Sequence, residues 1–369
     1  MELRQLVDQM LDGDLFTQVV NNPFAQFGPR GRRYLGATLL PEENKASNTY
    51  KETYIQYRSN VANAGTRYSP PQMKGNALTG SMTVELAESD VAAEFSSQDY
   101  DTIMDLIKAL PDNVGLGEVP PQAMTLMLRW AEQMVLTPLI EFNELCRWQA
   151  IVNAQVQLRG DNGFVENVAY SAPSGHRVNA GGQWSNTTYD PYADIQAGVQ
   201  VLQSKGYTVS RMIAGLPIVQ LLLRNPRIQS RMGMISIASN AVTGMPMNVT
   251  LRRLNDLLAE DGLPVIEQYD LQYRTQTSTL HFLARNVFVL CATTGRDTEI
   301  DFGDAAPWML PNTLGYTAIG RPANRATPGR AIVVEYNDKK GAPVNGEAWQ
   351  TSLPVITNPE AIYVINNIS

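Results

Sequence analysis

The sequence is poor in the residues that most catalytic and metal sites are built from. Its 369 residues include two histidines and two cysteines. His176 falls in a turn and His281 in STLHFLAR, and neither has a cysteine or carboxylate at metal-ligand spacing. Zinc chemistry and a hydrolase triad therefore lack their parts, and both histidines read as structural. Cys146 and Cys291 each sit among apolar neighbours and read as buried thiols. A disulfide between them does not suit a reducing compartment. There is no GxxxxGK[ST] and no GxGxxG after a strand. The Asp301-Phe302-Gly303 triplet lacks the glycine-rich and catalytic loops of a kinase. The acidic stretch Asp297, Glu299, Asp301, Asp304 lacks the ligand spacing of a calcium loop, so a solvated turn accounts for it better than a cation site or a carboxylate pair. The expectation is a protein that is not an enzyme, with no cofactor and no metal.

Long apolar runs are missing too. None approaches the roughly 20 residues a membrane span requires. The start, MELRQLVDQMLDGDLF, lacks the basic, apolar and small-residue regions of a signal peptide, which implies synthesis in the cytoplasm. Charge is modest and of the wrong sign for a broad nucleic-acid grip: 18 % of residues are charged, the net is −7, and no extended basic block occurs. With 44 % apolar residues the chain is neither disordered nor a membrane protein, and its length suits about two domains.

What the sequence does have is one dominant helical stretch, from Pro121 to Arg159. Apolar residues recur three and four apart at Met124, Met127, Leu128, Ala131, Met134, Val135, Leu139, Phe142, Leu145, Trp148 and Val152. Val119-Pro120-Pro121 gives a start and Gly160-Asp161-Asn162-Gly163 a stop. Pro138 predicts a bend near the middle. Such a helix would be about 55 Å long, a beam that other segments must cover.

Around the beam the chain reads in order. Residues 1–20 predict a short amphipathic helix, followed by an irregular arm, NNPFAQFGPRGRRYLGATLLP, broken by glycine and proline. Residues 48–58 and 81–88 predict strands, joined by some twenty residues with no core pattern; this suggests a two-stranded flap that needs something to lie on. A helix is expected over 99–110. After the beam, FVENVAYSAPSGHRVNAGGQW suggests a hairpin. From Tyr189 helices and strands alternate as in a compact α/β layer, and beyond about residue 328 the chain is strand-rich to its end.

In this order and spacing the chain resembles the major capsid proteins of tailed bacteriophages, in the lambda-type group called phage major capsid protein E. The resemblance rests on the arm, the flap, the long helix, Trp184, and Asp190-Pro191-Tyr192-Ala193-Asp194-Ile195 opening a helix. It continues through Met212-Ile213-Ala214-Gly215, Asn225-Pro226-Arg227, Leu353-Pro354-Val355 and Asn358-Pro359-Glu360-Ala361. It implies an α+β fold of the Hong Kong 97 type: an N-terminal arm (1–40), an extended loop (41–95), a peripheral domain with a spine helix (96–189, with 121–159 the spine, and 328–369) and an inserted axial α/β domain (190–327).

The function it implies is self-assembly, as hexamers and pentamers, into the icosahedral shell that encloses packaged double-stranded DNA. The implied partners are a scaffold protein, a portal and, as in many members, a cementing protein; DNA would be held without sequence-specific contact and no membrane would be involved. Inter-subunit ion pairs are expected at Arg30, Arg32 and Arg33 of the arm, at Arg58, Arg67 and Lys74 of the flap, and at Lys339 and Lys340 in a turn that could meet acidic groups near a threefold axis. Some members of the fold crosslink a flap lysine to a neighbour's asparagine; none is expected at Lys74, since the lambda-type group is not known for it. The competing readings are an encapsulin-like cargo shell, whose contents would be protein, and a neck or tail structural protein.

Overall fold

The computed structural model describes residues 33–57, 77–108, 121–159, 165–233, 236–238, 241–243, 249–275, 277–293, 314–337 and 344–369. The expected helix over 1–20, the acidic stretch 297–304 and the flap's tip lie outside these residues.

The described chain opens with a one-turn helix, α1 (Leu35–Leu39), where the irregular arm was expected to continue. Tyr34, Leu35, Ala37 and Leu39 are buried, and this burial orders the segment despite its short length. Strand β1 (Glu42–Asn44) follows, then β2 (Thr49–Tyr57) and β3 (Ala77–Glu85), paired antiparallel from Thr49↔Glu85 to Tyr57↔Ala77. The flap's first strand is as expected, whereas the second, expected over 81–88, starts at Ala77 and ends at Glu85. After a single residue, Leu86, β4 (Ala87–Phe95) turns into a different sheet. Helix α2 (Ser97–Lys108) begins in a capping box: Asp99 N–H donates to Ser96 Oγ at 3.2 Å, and Ser96 N–H donates back to Asp99 Oδ2 at 3.1 Å.

The beam is α3 (Pro121–Trp130), a π turn (Ala131–Leu136) and α4 (Thr137–Asn153). Just before Pro138, where a bend was expected, the helix has that π turn. Thr137 N–H bonds to Glu132 O, one residue wider than in an α-helix, immediately before the proline ring. The wider turn shifts the seam: Met127, Ala131, Val135 and Leu139 are buried, but Met134 is half exposed. The helix also ends six residues earlier than the sequence suggested. Ala154 takes a left-handed conformation (φ 51°), and Gln155–Arg159 is strand β5, paired antiparallel with β6 (Val165–Ala169). Val156 and Leu158 of QVQLR fit a period of two as well as one of 3.6, so the pattern could not exclude a strand. The hairpin expected over 164–184 is corrected likewise. Its first strand pairs back onto β5, while its second, β7 (Arg177–Asn179), joins another sheet.

The remaining elements are α5 (Pro191–Ser204), β8 (Arg211–Ala214), α6 (Leu216–Arg224), α7 (Pro226–Arg231), a small hairpin of β9 (Ser236–Ala238) and β10 (Ala241–Thr243), and α8 (Leu251–Glu260). Then come β11 (Ile266–Gln268), the paired β12 (Gln272–Arg274) and β13 (Thr279–His281), β14 (Phe288–Cys291), β15 (Gly315–Ile319), β16 (Arg330–Tyr336), β17 (Val344–Ile356) and β18 (Ile362–Asn366).

Two five-stranded sheets organise these elements. In the first, β17 carries β4 along one edge and β16, then β15, along the other, with β1 parallel to β15. The second runs β11-β8-β14-β18-β7. Its central strands are buried on both faces. Val289 and Cys291 of β14, with Ile362 and Val364 of β18, join a core shared with the long helix; Phe288, Leu290, Tyr363 and Ile365 join the core under α5–α8. Alternation along each strand therefore serves two cores at once.

Candidate inter-subunit surfaces and the network that orients them

In the C-terminal half of the long helix, polar residues are buried as deeply as apolar ones. Asn143, Glu144 and Arg147 are each at most 1 % exposed. Glu144 Oε1 accepts from Gly36 N–H at 2.9 Å, Trp148 Nε1 at 2.8 Å and Tyr269 OH at 2.7 Å. Gly36 has to be glycine, because a Cβ there would stand 2.7 Å from the same carboxylate. Arg147 donates from Nε to Thr317 Oγ1 at 2.8 Å and faces Glu42 at 3.2 Å and Glu144 at 3.5 Å. Arg330 pairs with Glu42 from the other side. Gln350 donates to Leu139 O and Asn143 Oδ1, both at 3.0 Å.

This network joins α1, β1, α4, the Tyr269 loop, β15, β16 and β17. Apart from those within α4 and the bond from Arg330 Nε to Gln350 Oε1 at 3.0 Å between β16 and β17, each connection spans a hundred residues or more of sequence. Burial alone would raise the Glu42 carboxyl, but the guanidiniums of Arg330 and Arg147 outweigh it and hold the group below the ordinary carboxylate value. Burial, then the Glu144 charge, push the Tyr269 hydroxyl far above its usual range, so it serves here as a donor.

The first sheet thus locked to the beam also carries the flap. Asn48 bonds in both directions with residue 321: Nδ2 donates to Arg321 O at 2.8 Å, and Arg321 N–H donates to Oδ1 at 2.7 Å. Leu86 N–H donates to Asn48 O at 3.0 Å, and the Tyr50 and Tyr316 hydroxyls meet at 3.0 Å. Lys45 Nζ lies 4.0 Å from the Tyr316 ring centre. Beyond this clamped base, β2 and β3 pair only with each other among the described residues. At about 3.4 Å per residue, the nine registered pairs extend about 27 Å. An isolated two-stranded ribbon of that length has too little buried surface to be stable alone.

Of the cations expected at interfaces, the described residues include Arg33 alone; it is exposed, on the rim of a surface cleft that also includes Glu267 and Asp270. Arg30, Arg32, Arg58, Arg67, Lys74, Lys339 and Lys340 lie outside the described residues. His176 is buried, its Nδ1 3.0 Å from Ile362 O, and His281 lies 3.1 Å from Gln272 Nε2. Cys146 and Cys291 are buried free thiols, each pushed up to about 12 chiefly by burial. Among the described residues no group of three or more potential ligands could hold a metal ion, and no helix is long and apolar enough to cross a membrane.

The residues that carried the resemblance are fasteners. Asp194 accepts from Trp184 Nε1 at 2.8 Å and Tyr189 OH at 2.7 Å. Asn225 Nδ2 donates to the carbonyls of Trp184, Asn186 and Tyr189, while its Oδ1 caps α7 by accepting from Arg227 N–H at 2.8 Å. Asp190 caps α5 through Tyr192 N–H at 3.1 Å.

A family model described as phage major capsid protein E matches residues 141–366, from the buried network in α4 to the end of β18. The chain belongs to the phage major capsid protein E family. No curated protein matches it. Among solved structures, one assigned as the capsid protein of a prophage of E. coli CFT073 is 13 % identical, with a TM-score of 0.54 over 100 % of this chain and 99 % of that one. A phage-related protein of Bordetella bronchiseptica RB50 is 14 % identical, with a TM-score of 0.53 over 94 % of this chain and 97 % of that one. At such identities the likeness concerns fold, which is the α+β tailed-phage capsid fold. As a phage major capsid protein the chain is a structural component of the head shell, and so of the virion; the encapsulin and neck or tail readings are not favoured.

Proposed function

We propose that this major capsid protein assembles as hexamers and pentamers into an icosahedral shell that encloses packaged double-stranded DNA. The observation that carries the reading is the β2–β3 ribbon, clamped at its base and paired, among the described residues, with no other strand. It gains the buried surface it lacks only by lying on another subunit. The segments 1–40, 41–95, 96–189 with 328–369, and 190–327 then serve as arm, extended loop, peripheral domain and axial domain. Strand pairing ties these segments together: β15 pairs with β17, and β7 and β18 complete the sheet of β8 and β14. A scaffold, a portal and an outer cementing protein act as assembly partners, and DNA is contained without sequence-specific contact by a chain of net charge −7.

In this reading Arg30, Arg32, Arg33, Arg58, Arg67, Lys74, Lys339 and Lys340 form ion pairs between subunits. The test is expression alone and with a candidate scaffold, followed by sedimentation and negative-stain imaging. Shells, or rings of five and six, are expected; a monomer that stays monomeric at high concentration in both cases contradicts the proposal. Charge reversal at the eight cations is expected to impair assembly, and wild-type assembly of those variants removes them from the interfaces.

A further inference from the structure

The two feet of the flap meet on one glycine. Asn48 precedes β2, Leu86 follows β3, and Leu86 N–H donates to Asn48 O at 3.0 Å. Both lean on Gly320, the residue after β15: a Cβ there would run into Asn48 Oδ1 and stand 2.6 Å from Leu86 Cδ1. Gly320 is itself pinned to the first sheet, donating from N–H to Thr351 O at 2.8 Å and accepting from Gly329 N–H at 3.1 Å. With no side chain at 320, the Asn48 carboxamide comes close enough to bond the Arg321 backbone through both its oxygen and its nitrogen.

Packing leaves the flap's direction open. Val84 and Leu86 share an apolar cluster with Tyr316, Ala318, Leu353 and Val355, and apolar contact has no preferred direction. The Tyr50 and Tyr316 hydroxyls add a single bond between two groups that rotate to suit each other. A carboxamide held at two atoms by one residue fixes a plane as well as a distance, because hydrogen bonds weaken steeply out of line. The lever is also long. A rotation of about 10° at Asn48 would move the far pair, Tyr57 with Ala77, by about 5 Å, one whole strand spacing.

We propose that Asn48 is a positioning residue: its carboxamide, seated over Gly320, sets the angle at which the flap leaves the subunit, and that angle sets the curvature at which shells close. The inference rests on the shell-forming reading above and adds to it the joint that makes every copy alike.

Two substitutions at the joint and one control test it. Asn48→Ala removes both bonds, whereas Gly320→Ala keeps every polar group and puts a methyl where the carboxamide sits. Ile218→Val weakens the subunit elsewhere, in the separate core under α5–α8. Each full-length chain is assembled under conditions where the wild type forms shells, and particle diameters are measured by negative-stain imaging. The wild type is expected to give one narrow diameter. Asn48→Ala and Gly320→Ala are each expected to widen the spread of diameters about threefold or more, or to give open shells, since the flap's end strays by about a strand spacing. Ile218→Val is expected to keep the wild-type diameter, which a merely destabilising role for Asn48 would not distinguish from the joint variants. Wild-type diameters in the joint variants, or an equal spread in Ile218→Val, overturn the proposal. Circular dichroism separates misfolding from misassembly; should Asn48→Ala misfold, Gly320→Ala and the milder Asn48→Ser carry the same comparison. Failure of the wild type itself to form shells would instead count against the shell-forming reading.

Discussion

Arg147→Met is the substitution that most directly probes what holds this subunit in shape. The guanidinium is fully buried, bonds Thr317 at 2.8 Å, and faces the carboxylates of Glu42 and Glu144 at 3.2 and 3.5 Å. Methionine fills a similar volume but carries no charge. Glu42 keeps Arg330, whereas Glu144, itself 0 % exposed, keeps three neutral or weakly polar donors and loses its only cation among the described residues. Breaking one side of a buried ion pair costs about 3–5 kcal/mol. Against a total stability of about 5–15 kcal/mol, such a loss leaves the subunit marginal at 37 °C. Replacing Glu144 as well, with glutamine, removes the stranded charge. Arg147→Met/Glu144→Gln should therefore be more stable than Arg147→Met by about 1 kcal/mol or more.

Urea unfolding of disassembled subunits at low protein concentration measures this without the contribution of assembly. Tryptophan fluorescence suits it, since Trp148 bonds Glu144 directly. An Arg147→Met subunit within about 1 kcal/mol of wild type, or a double variant worse than either parent, would refute the idea that the network is a single electrostatic unit.

Acid should weaken the fold through Glu42. Its carboxyl is held below its ordinary value of 4.5, so its contribution is complete above that value and is lost as pH falls through the lower folded one; Glu42→Gln should reduce the dependence of subunit stability on pH below about 4.5, measured by thermal unfolding across pH. Gly346→Ala should destabilise by about 1–3 kcal/mol in a urea titration, because its Cβ would meet Val135 Cγ2 at 2.8 Å and Trp130 Cη2 at 2.9 Å where β17 crosses the π turn. Cys146 and Cys291, both fully buried with thiols raised to about 12, should resist a thiol reagent at pH 8 in the folded subunit and react within the unfolding time in denaturant.

Much of this architecture was legible because local pattern and tertiary burial agree in it. Met127, Ala131, Val135 and Leu139 of the long helix are buried at a spacing of four residues, and the Asp190-Pro191 start of α5 is written in two adjacent residues. The failures fall where a local pattern has two solutions or where the partner is distant. QVQLR suits a helix's end or a strand; the left-handed turn at Ala154 decided it, and alanine there gives no signal of the kind glycine would. Strand β7 was assigned to its neighbour in sequence although its partner, β18, lies almost two hundred residues away.

The buried network was the least legible part. Glu144 and Arg147 look like the solvated side of an amphipathic helix, and only the wrapping of α4 by α1, Tyr269 and the first sheet turns that side inward. Of the surfaces, the flap's strands could be read and its clamped base could not. Asn48 finds its partner at residue 321, a pairing no spacing rule reaches.

Cryo-electron microscopy of particles from the expressed full-length chain tests the central claim most directly. The account predicts closed icosahedral shells of five- and six-fold rings, with each 49–85 ribbon leaving its own first sheet at Asn48 and lying against a neighbouring subunit. Subunits that remain single, or rings in which the ribbon folds back on its own long helix, would contradict it.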